Sequence, residues 1–147
     1  IGAGNLSISP KATNSKFYVT WSLHIVRKSG TYTAQCRLAR KIGSGSWNDL
    51  IAVGDTEGSR TRCTFGVRDY ALEDGSGPIL PAHVGSFLDS PTLSNTTDSV
   101  YYKFTFNNAP TISHTGYTYF NRNYSDWNDT GSGHRMISTL TMMEIAG

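Results

Sequence analysis

A short polar loop contains the residues whose types and spacing are best suited to chemistry. Oxygen-bearing side chains alternate along it and a glycine follows, as in the first half of a calcium-binding loop. These residues are Asp126, Asn128, Thr130 and Gly131. The twelfth position of such a loop should be a bidentate glutamate, but it is Ile137. The sequence excludes a complete site of this kind, and we expect no metal or other cofactor. An ordinary polar turn is the main interpretation, and a looser ion site is the alternative.

The same loop has the composition of a sugar-binding site. Aromatic rings stack on the C–H face of a sugar, while amides and carboxylates bind its hydroxyls. The candidate residues are Tyr124, Asp126, Trp127, Asn128 and Asp129. If the protein binds a surface glycan, this loop is the predicted site. The main interpretation of Trp127 is that it packs over the end of the fold and seals its core, and the glycan site is the alternative.

Histidines, cysteines and serines form no catalytic or metal-binding pattern. The histidines show no close pairing, and no cysteine lies near one of them at metal-ligand spacing. They are His24, His83, His114 and His134. No Gly-x-Ser-x-Gly turn stands between a strand and a helix. We therefore expect no enzymatic activity and no catalytic residue.

The two cysteines, Cys36 and Cys63, fall on the inward faces of predicted strands. Free cysteine is among the most buried residue types, and burial needs no redox explanation. We favour buried free thiols, and a disulfide between the two is the alternative.

Alternation of apolar and polar residues predicts the elements that position these groups. From Phe17 to Ile25 every odd position is apolar, a period of two that only a strand places on one face. The pattern recurs at 32–38, 63–67 and 100–106, and shorter strands are predicted at 5–9, 50–53, 83–87, 117–121 and 138–145. Glycine- and proline-rich turns separate them, and no segment shows a helical period. We predict a single all-β domain over residues 1–147, a two-sheet antiparallel β-sandwich of eight or nine strands, jelly-roll-like in type.

The last strand is apolar on both of its faces. Because successive side chains of a strand point to opposite faces, one face carries Met136, Leu140 and Met142, and the other carries Ile137, Met143 and Ile145. A half-solvated strand should be apolar on one face only, so this pattern predicts that the strand is covered twice. We predict a subunit interface at Ile137, Met143 and Ile145. In the alternative, this is a central strand lying under a long loop of the same chain.

The overall composition excludes several classes of partner. Charged residues make up 16% of the 147 residues, and the net charge is +2. These charges are too few and too scattered for the basic stripe that nucleic-acid binding requires, so we expect no nucleic-acid partner. No apolar run approaches the length of a membrane span, so we expect no membrane insertion. A surface of hydroxyls and amides is typical of extracellular or virion proteins.

Several phrases, taken in order, resemble one known family. They are Ile8-Ser9-Pro10-Lys11-Ala12-Thr13-Asn14-Ser15-Lys16, Arg40, Ser59-Arg60-Thr61, Phe87-Leu88-Asp89-Ser90-Pro91, Tyr102-Lys103, Asn121-Arg122 and Ser138-Thr139-Leu140-Thr141-Met142-Met143-Glu144-Ile145. Together they are similar to the C-terminal domain of tail-fibre and other virion structural proteins of tailed phages, especially phages of marine and cyanobacterial hosts. The resemblance extends from about residue 8 to the end of the chain.

The resemblance implies a virion protein on the particle exterior, with this chain as the C-terminal part of a longer protein. It implies a sandwich of the tumour necrosis factor type that forms the head of a tail or capsid fibre. Such a head would be a homotrimer, would contact other virion proteins and a host-surface glycan, and would have no enzymatic activity. Two alternatives stay open, a capsid decoration protein without a ligand and a sugar-binding module of a secreted enzyme.

Overall fold

The computed structural model describes residues 5–28, 34–67, 81–108, 117–122 and 135–146, and none of these residues is helical. Their regular structure consists of eight strands. The strands are β1 (Leu6–Ile8), β2 (Lys16–Lys28), β3 (Ala34–Ile42), β4 (Phe65–Val67), β5 (Ala82–Asp89), β6 (Val100–Asn108), β7 (Tyr117–Phe120) and β8 (Thr139–Ile145).

The strands form two sheets in which every pairing is antiparallel. The first sheet has the order β1-β6-β3-β4. In the second, β5 pairs with one side of β2, and both β8 and β7 pair with the other side. Most connections cross from one sheet to the other, so the two sheets are interlocked. The two-sheet β-sandwich predicted from the alternation is confirmed.

The core lies between the sheets, and β2 supplies its centre. The odd-numbered side chains of β2 are buried, as their alternation predicts: Phe17, Val19, Trp21, Leu23 and Ile25. They pack against residues of the first sheet, and the Trp21 ring meets Phe104 edge-on at 5.4 Å between ring centres. Trp21 also lies over Gly85, its partner on β5, where an added Cβ would overlap the indole. Glycine at position 85 therefore makes room for the largest core side chain.

One buried ionic cluster joins the two sheets. Arg40 on β3 donates from Nη1 to both carboxylate oxygens of Asp89 on β5, at 2.6 and 2.7 Å. Tyr102 on β6 donates its hydroxyl to Asp89 Oδ2 at 2.6 Å. Asp89 and Tyr102 are buried, and a buried carboxylate is tolerated only when it is paired and hydrogen-bonded. Burial, followed by the hydrogen bond to Asp89, raises the pKa of the Tyr102 hydroxyl well above its usual range.

The strand predicted at 50–53 is wrong, because that segment consists of a bend with irregular backbone on either side. The Ala52 carbonyl accepts a hydrogen bond from the Thr64 hydroxyl at 2.6 Å, in place of a ladder partner. Ile51 and Ala52 still pack against the core, which explains the apolar character of the segment. A loop that packs its apolar side chains against the core has the same run of apolar residues as a short strand.

Candidate functional site

The outer face of the second sheet carries an exposed cluster of apolar side chains. Cross-strand register places Leu88 on β5 and Met143 on β8 on either side of Tyr18 on β2. Ile145 is the next outward residue of β8 and lies opposite Lys16. The exposed fractions are 49% for Leu88, 38% for Tyr18, 61% for Met143 and 41% for Ile145. We refer to Tyr18, Leu88, Met143 and Ile145 as the apolar patch.

Where β5, β2 and β8 pair, Lys16 is the one charged residue among the described outward side chains of this face. Beyond the apolar patch, the next row across the sheet consists of Ser86, Thr20 and Thr141, and the row after it of Val84, Ser22 and Thr139. Protein interfaces are depleted of charge at their centre, whereas ordinary sheet faces in water are not. An apolar patch that continues into hydroxyl groups is suited to contact with another protein surface.

Hydrogen bonds to Glu144 hold the end of β8 in place. Glu144 Oε1 accepts hydrogen bonds of 2.6 Å from the Ser15 hydroxyl and from the Lys11 backbone N–H. Ser15 is buried, and its Oγ also accepts a bond from the Ala12 N–H at 3.2 Å. The Ser15 bond, followed by the Lys11 bond, holds the pKa of the Glu144 carboxyl below its ordinary value. With Glu144 tied down, Met143 and Ile145 must point outward.

A second set of hydrogen bonds spans the junction of β8 and β7 along β2. The His24 N–H donates to Ser138 Oγ at 2.9 Å, and the His24 carbonyl accepts from the Asn121 N–H at 2.9 Å. Asn121 has a φ of 59°, a left-handed conformation that asparagine tolerates better than most residues. Ser138 and Asn121 thus continue the hydrogen bonding of the β2 edge between the two shorter strands.

The predicted interface residues do not form one cluster. Met143 and Ile145 are neighbours on the outer side of β8, as predicted. Ile137 is 80% exposed but precedes β8, and six extended residues place it about 20 Å from Met143. Among the described strands, β8 pairs with β2 alone. Its inward residues Leu140 and Met142 pack against the core, and Met136 is exposed.

Two members of the apolar patch were missed in the sequence. Alternation placed Tyr18 on the outer side of β2, and Leu88 follows Phe87, which points inward. Nothing local indicated that Tyr18 lies between Leu88 and Met143, because that arrangement depends on the pairing of three strands. An aromatic residue on the polar side of an alternating strand was the signal available.

The predicted sugar-binding residues Tyr124, Asp126, Trp127, Asn128 and Asp129 lie outside the described residues, as does the loop resembling a calcium site. Their grouping stays a prediction. Within the described ranges, no three His, Cys, Asp or Glu side chains converge as metal ligands. None of the described residues belongs to a helix long and apolar enough to cross a membrane.

The titratable groups of the core are packed as structural side chains. Cys36 and Cys63 are both free, as favoured; Cys36 is buried as predicted, whereas Cys63 is only half-buried. Burial raises the pKa of the Cys36 thiol beyond its usual range, which leaves it a poor nucleophile. His83 stacks on Phe65 at 4.9 Å between ring centres, and burial lowers the pKa of its imidazole. These groups contribute to the core.

Comparison of the chain with protein-family models, with curated proteins and with solved structures found no match.

Proposed function

We propose that this chain is a self-associating β-sandwich that acts by assembly and attachment, and that the outer face of the second sheet is its subunit interface. The observation that carries the proposal is the row formed by Leu88, Tyr18 and Met143 with Ile145 beside it. Apolar side chains exposed together on a sheet face lose contact with water when a second copy covers them.

The sequence resemblance supports the biological setting of this proposal. It favours the head domain of a tail or capsid fibre of a tailed phage, on the exterior of the virion, with no enzymatic activity. A head of that kind is a homotrimer, and cyclic symmetry presents the same patch on every copy. Attachment to a host-surface glycan through the loop around Trp127 is part of the proposal and stays a prediction.

The solution mass of the protein tests the assembly interface. We expect light scattering after size exclusion to give about three times the chain mass of 16.1 kDa, with little change on dilution. The double substitution Met143→Thr with Ile145→Thr should shift the mass toward one chain. Threonine preserves strand propensity while it removes apolar area from the interface.

Leu50→Thr is the matched control, because Leu50 is exposed to a similar degree but lies outside the apolar patch. This variant should keep the mass of the wild-type protein. A wild-type mass of one chain at every concentration would contradict self-association. A dimer that the double substitution disrupts would support the interface and contradict the trimer.

A further inference from the structure

The outer face of the first sheet carries two lysines grouped around aromatic rings. Lys103 on β6 places Nζ 4.0 Å from the centre of the Trp47 ring. Lys41 on β3 places Nζ 4.6 Å from the centre of the Tyr101 ring and 5.7 Å from that of Trp47. All four side chains are half-buried. We refer to Lys41, Trp47, Tyr101 and Lys103 as the cation–aromatic cluster.

Strand pairing and a turn after β3 fix the position of this cluster. Lys41 lies opposite Tyr101, and Ala39 lies opposite Lys103 on the same face. Asn48 bridges back to Arg40 through two backbone hydrogen bonds of 2.8 Å, which brings its neighbour Trp47 to this face. Ala39 is fully buried although alternation points it outward, so this face is covered there. The small alanine leaves space for a ring that both lysines contact.

The two lysines keep their charge available for a ligand. The ion pairs among the described residues join Arg37 to Asp49, Arg40 to Asp89 and Arg60 to Glu57. Neither Lys41 nor Lys103 is paired with a carboxylate of these residues. The nearby Asp49 is already engaged by Arg37 at 2.8 Å. A cation held over a ring is positioned but not neutralised, because the ring contributes only its quadrupole.

We propose that the cation–aromatic cluster is a binding site for an anionic polysaccharide, carrying sulfate, phosphate or carboxylate groups. The ammonium groups of Lys41 and Lys103 would bind the anionic group, and the exposed parts of the Trp47 and Tyr101 rings would pack against the C–H side of the sugar. A site of half-buried rings with two convergent cations is suited to a ligand that is flat, polar and negatively charged.

A saccharide fits this face better than a nucleic acid does. Binding to a phosphate backbone requires a row of cations spaced along the strand, whereas this cluster contributes two. The net charge of the whole chain is only +2, so no broad positive field supports a longer polyanion. A single anionic sugar unit needs only a local pair of charges beside a ring.

This site is separate from the proposed subunit interface and does not depend on it. The cation–aromatic cluster belongs to the first sheet, whereas the apolar patch belongs to the second, and the core lies between them. Removing the cation–aromatic cluster should leave self-association unchanged, and removing the apolar patch should leave the affinity of a single polysaccharide site unchanged. The two proposals can therefore fail independently.

Binding of dextran sulfate, measured by calorimetry against uncharged dextran of the same length, tests the site. We expect dextran sulfate to bind and uncharged dextran to bind far more weakly. Lys41→Gln with Lys103→Gln should weaken binding by about fivefold for each lysine, the factor expected for an ion pair in water. Trp47→Ala should also weaken binding, and added salt should weaken binding of the wild-type protein.

Lys11→Gln with Arg60→Gln is the matched control, because it removes the same charge from exposed side chains that lie outside both the cation–aromatic cluster and the apolar patch. It should bind dextran sulfate nearly as well as the wild-type protein. Because the Lys41 and Lys103 side chains are only half-buried, we expect their double variant to have the same melting temperature as the control variant. Equal loss in both double variants would overturn the proposal, as would no binding of dextran sulfate. Tighter binding of a single-stranded oligonucleotide than of dextran sulfate would overturn the assignment to a saccharide.

Discussion

Asp89 shows how a single side chain can hold two sheets together. Its carboxylate is buried at the end of β5 and accepts hydrogen bonds from Arg40 and Tyr102 of the opposite sheet. A buried charge that loses one of these donors keeps its desolvation cost, so each donor matters more than an average surface hydrogen bond. The cluster therefore fixes how the two sheets are aligned as well as how firmly they pack.

Tyr102→Phe tests the contribution of one donor in this cluster. The substitution keeps the ring and removes the hydroxyl bound to Asp89. We expect the free energy of unfolding to fall by about 2 kcal/mol, the usual size for a hydrogen bond to a charged group. Chemical denaturation would measure the change.

Tyr101→Phe is the control for this prediction. Tyr101 neighbours Tyr102 in β6 but lies on the outer face, and its hydroxyl makes no hydrogen bond to a described residue. We expect this variant to unfold like the wild-type protein. Equal stability of both phenylalanine variants would show that the hydroxyl of Tyr102 contributes nothing net.

Strand β8 is held by its pairing with β2 and by hydrogen bonds at its two ends. Among the described strands it pairs only with β2, and hydrogen bonds to Glu144 and Ser138 attach its two ends to distant segments. An edge strand of this kind needs such anchors, because one ladder leaves its other side unpaired. The anchors also fix which residues of β8 face the core, and they leave Met143 facing outward.

The anchor at Glu144 should make the stability of β8 depend on pH. Its pKa is below the ordinary 4.5 in the folded protein, so the carboxylate stabilises the fold above that pH. This contribution is lost as the pH falls through the folded-state pKa. We expect Glu144→Gln to lower the melting temperature at pH 7, and the gap from wild type to close in acid.

Thermal unfolding of both proteins across this pH range would measure the gap. Glu57→Gln is the control, since the Glu57 side chain pairs with Arg60 in an exposed turn. Such surface pairs contribute little, so we expect little change in its melting temperature. A gap for Glu144→Gln that stays constant into acid would contradict a role for the ionised carboxylate.

The whole molecule presents two different outer faces, one on each sheet. The second sheet carries the apolar patch, and the first carries the cation–aromatic cluster. If copies associate through the second sheet, each copy still exposes its first sheet to a polysaccharide. Several weak sites would then act together, and linked sites bind a repeating ligand more tightly than one site does.

A comparison of long and short ligands tests this coupling, which rests on both proposals. We expect immobilised dextran sulfate to bind the wild-type protein at least about tenfold more tightly than the variant Met143→Thr with Ile145→Thr. A short sulfated oligosaccharide in solution should bind both proteins equally, because it occupies one site. Surface plasmon resonance and calorimetry would give the two affinities. Equal affinity of both proteins for the immobilised polymer would contradict the coupling.

Most of the strands could be predicted from the sequence, because alternation is a local property. The odd positions from Phe17 to Ile25 are buried as predicted, and the outward parity of Met143 and Ile145 is confirmed. The strand predicted at 50–53 was wrong because a loop that packs Ile51 and Ala52 against the core has the same apolar pattern. The local sequence does not show whether the Ala52 carbonyl bonds to a neighbouring strand or, as here, to the Thr64 hydroxyl.

Contacts between distant segments required the folded chain. The phrases that carry the sequence resemblance include Arg40, Asp89 and Tyr102, yet nothing in their spacing shows that these residues meet. The same holds for Tyr18 beside Met143 and for Lys103 beside Trp47. Alternation specifies which face a side chain occupies, whereas its neighbours depend on which strands pair and in what register. The sequence could therefore predict the β-sandwich, but both proposed surfaces follow from strand pairing.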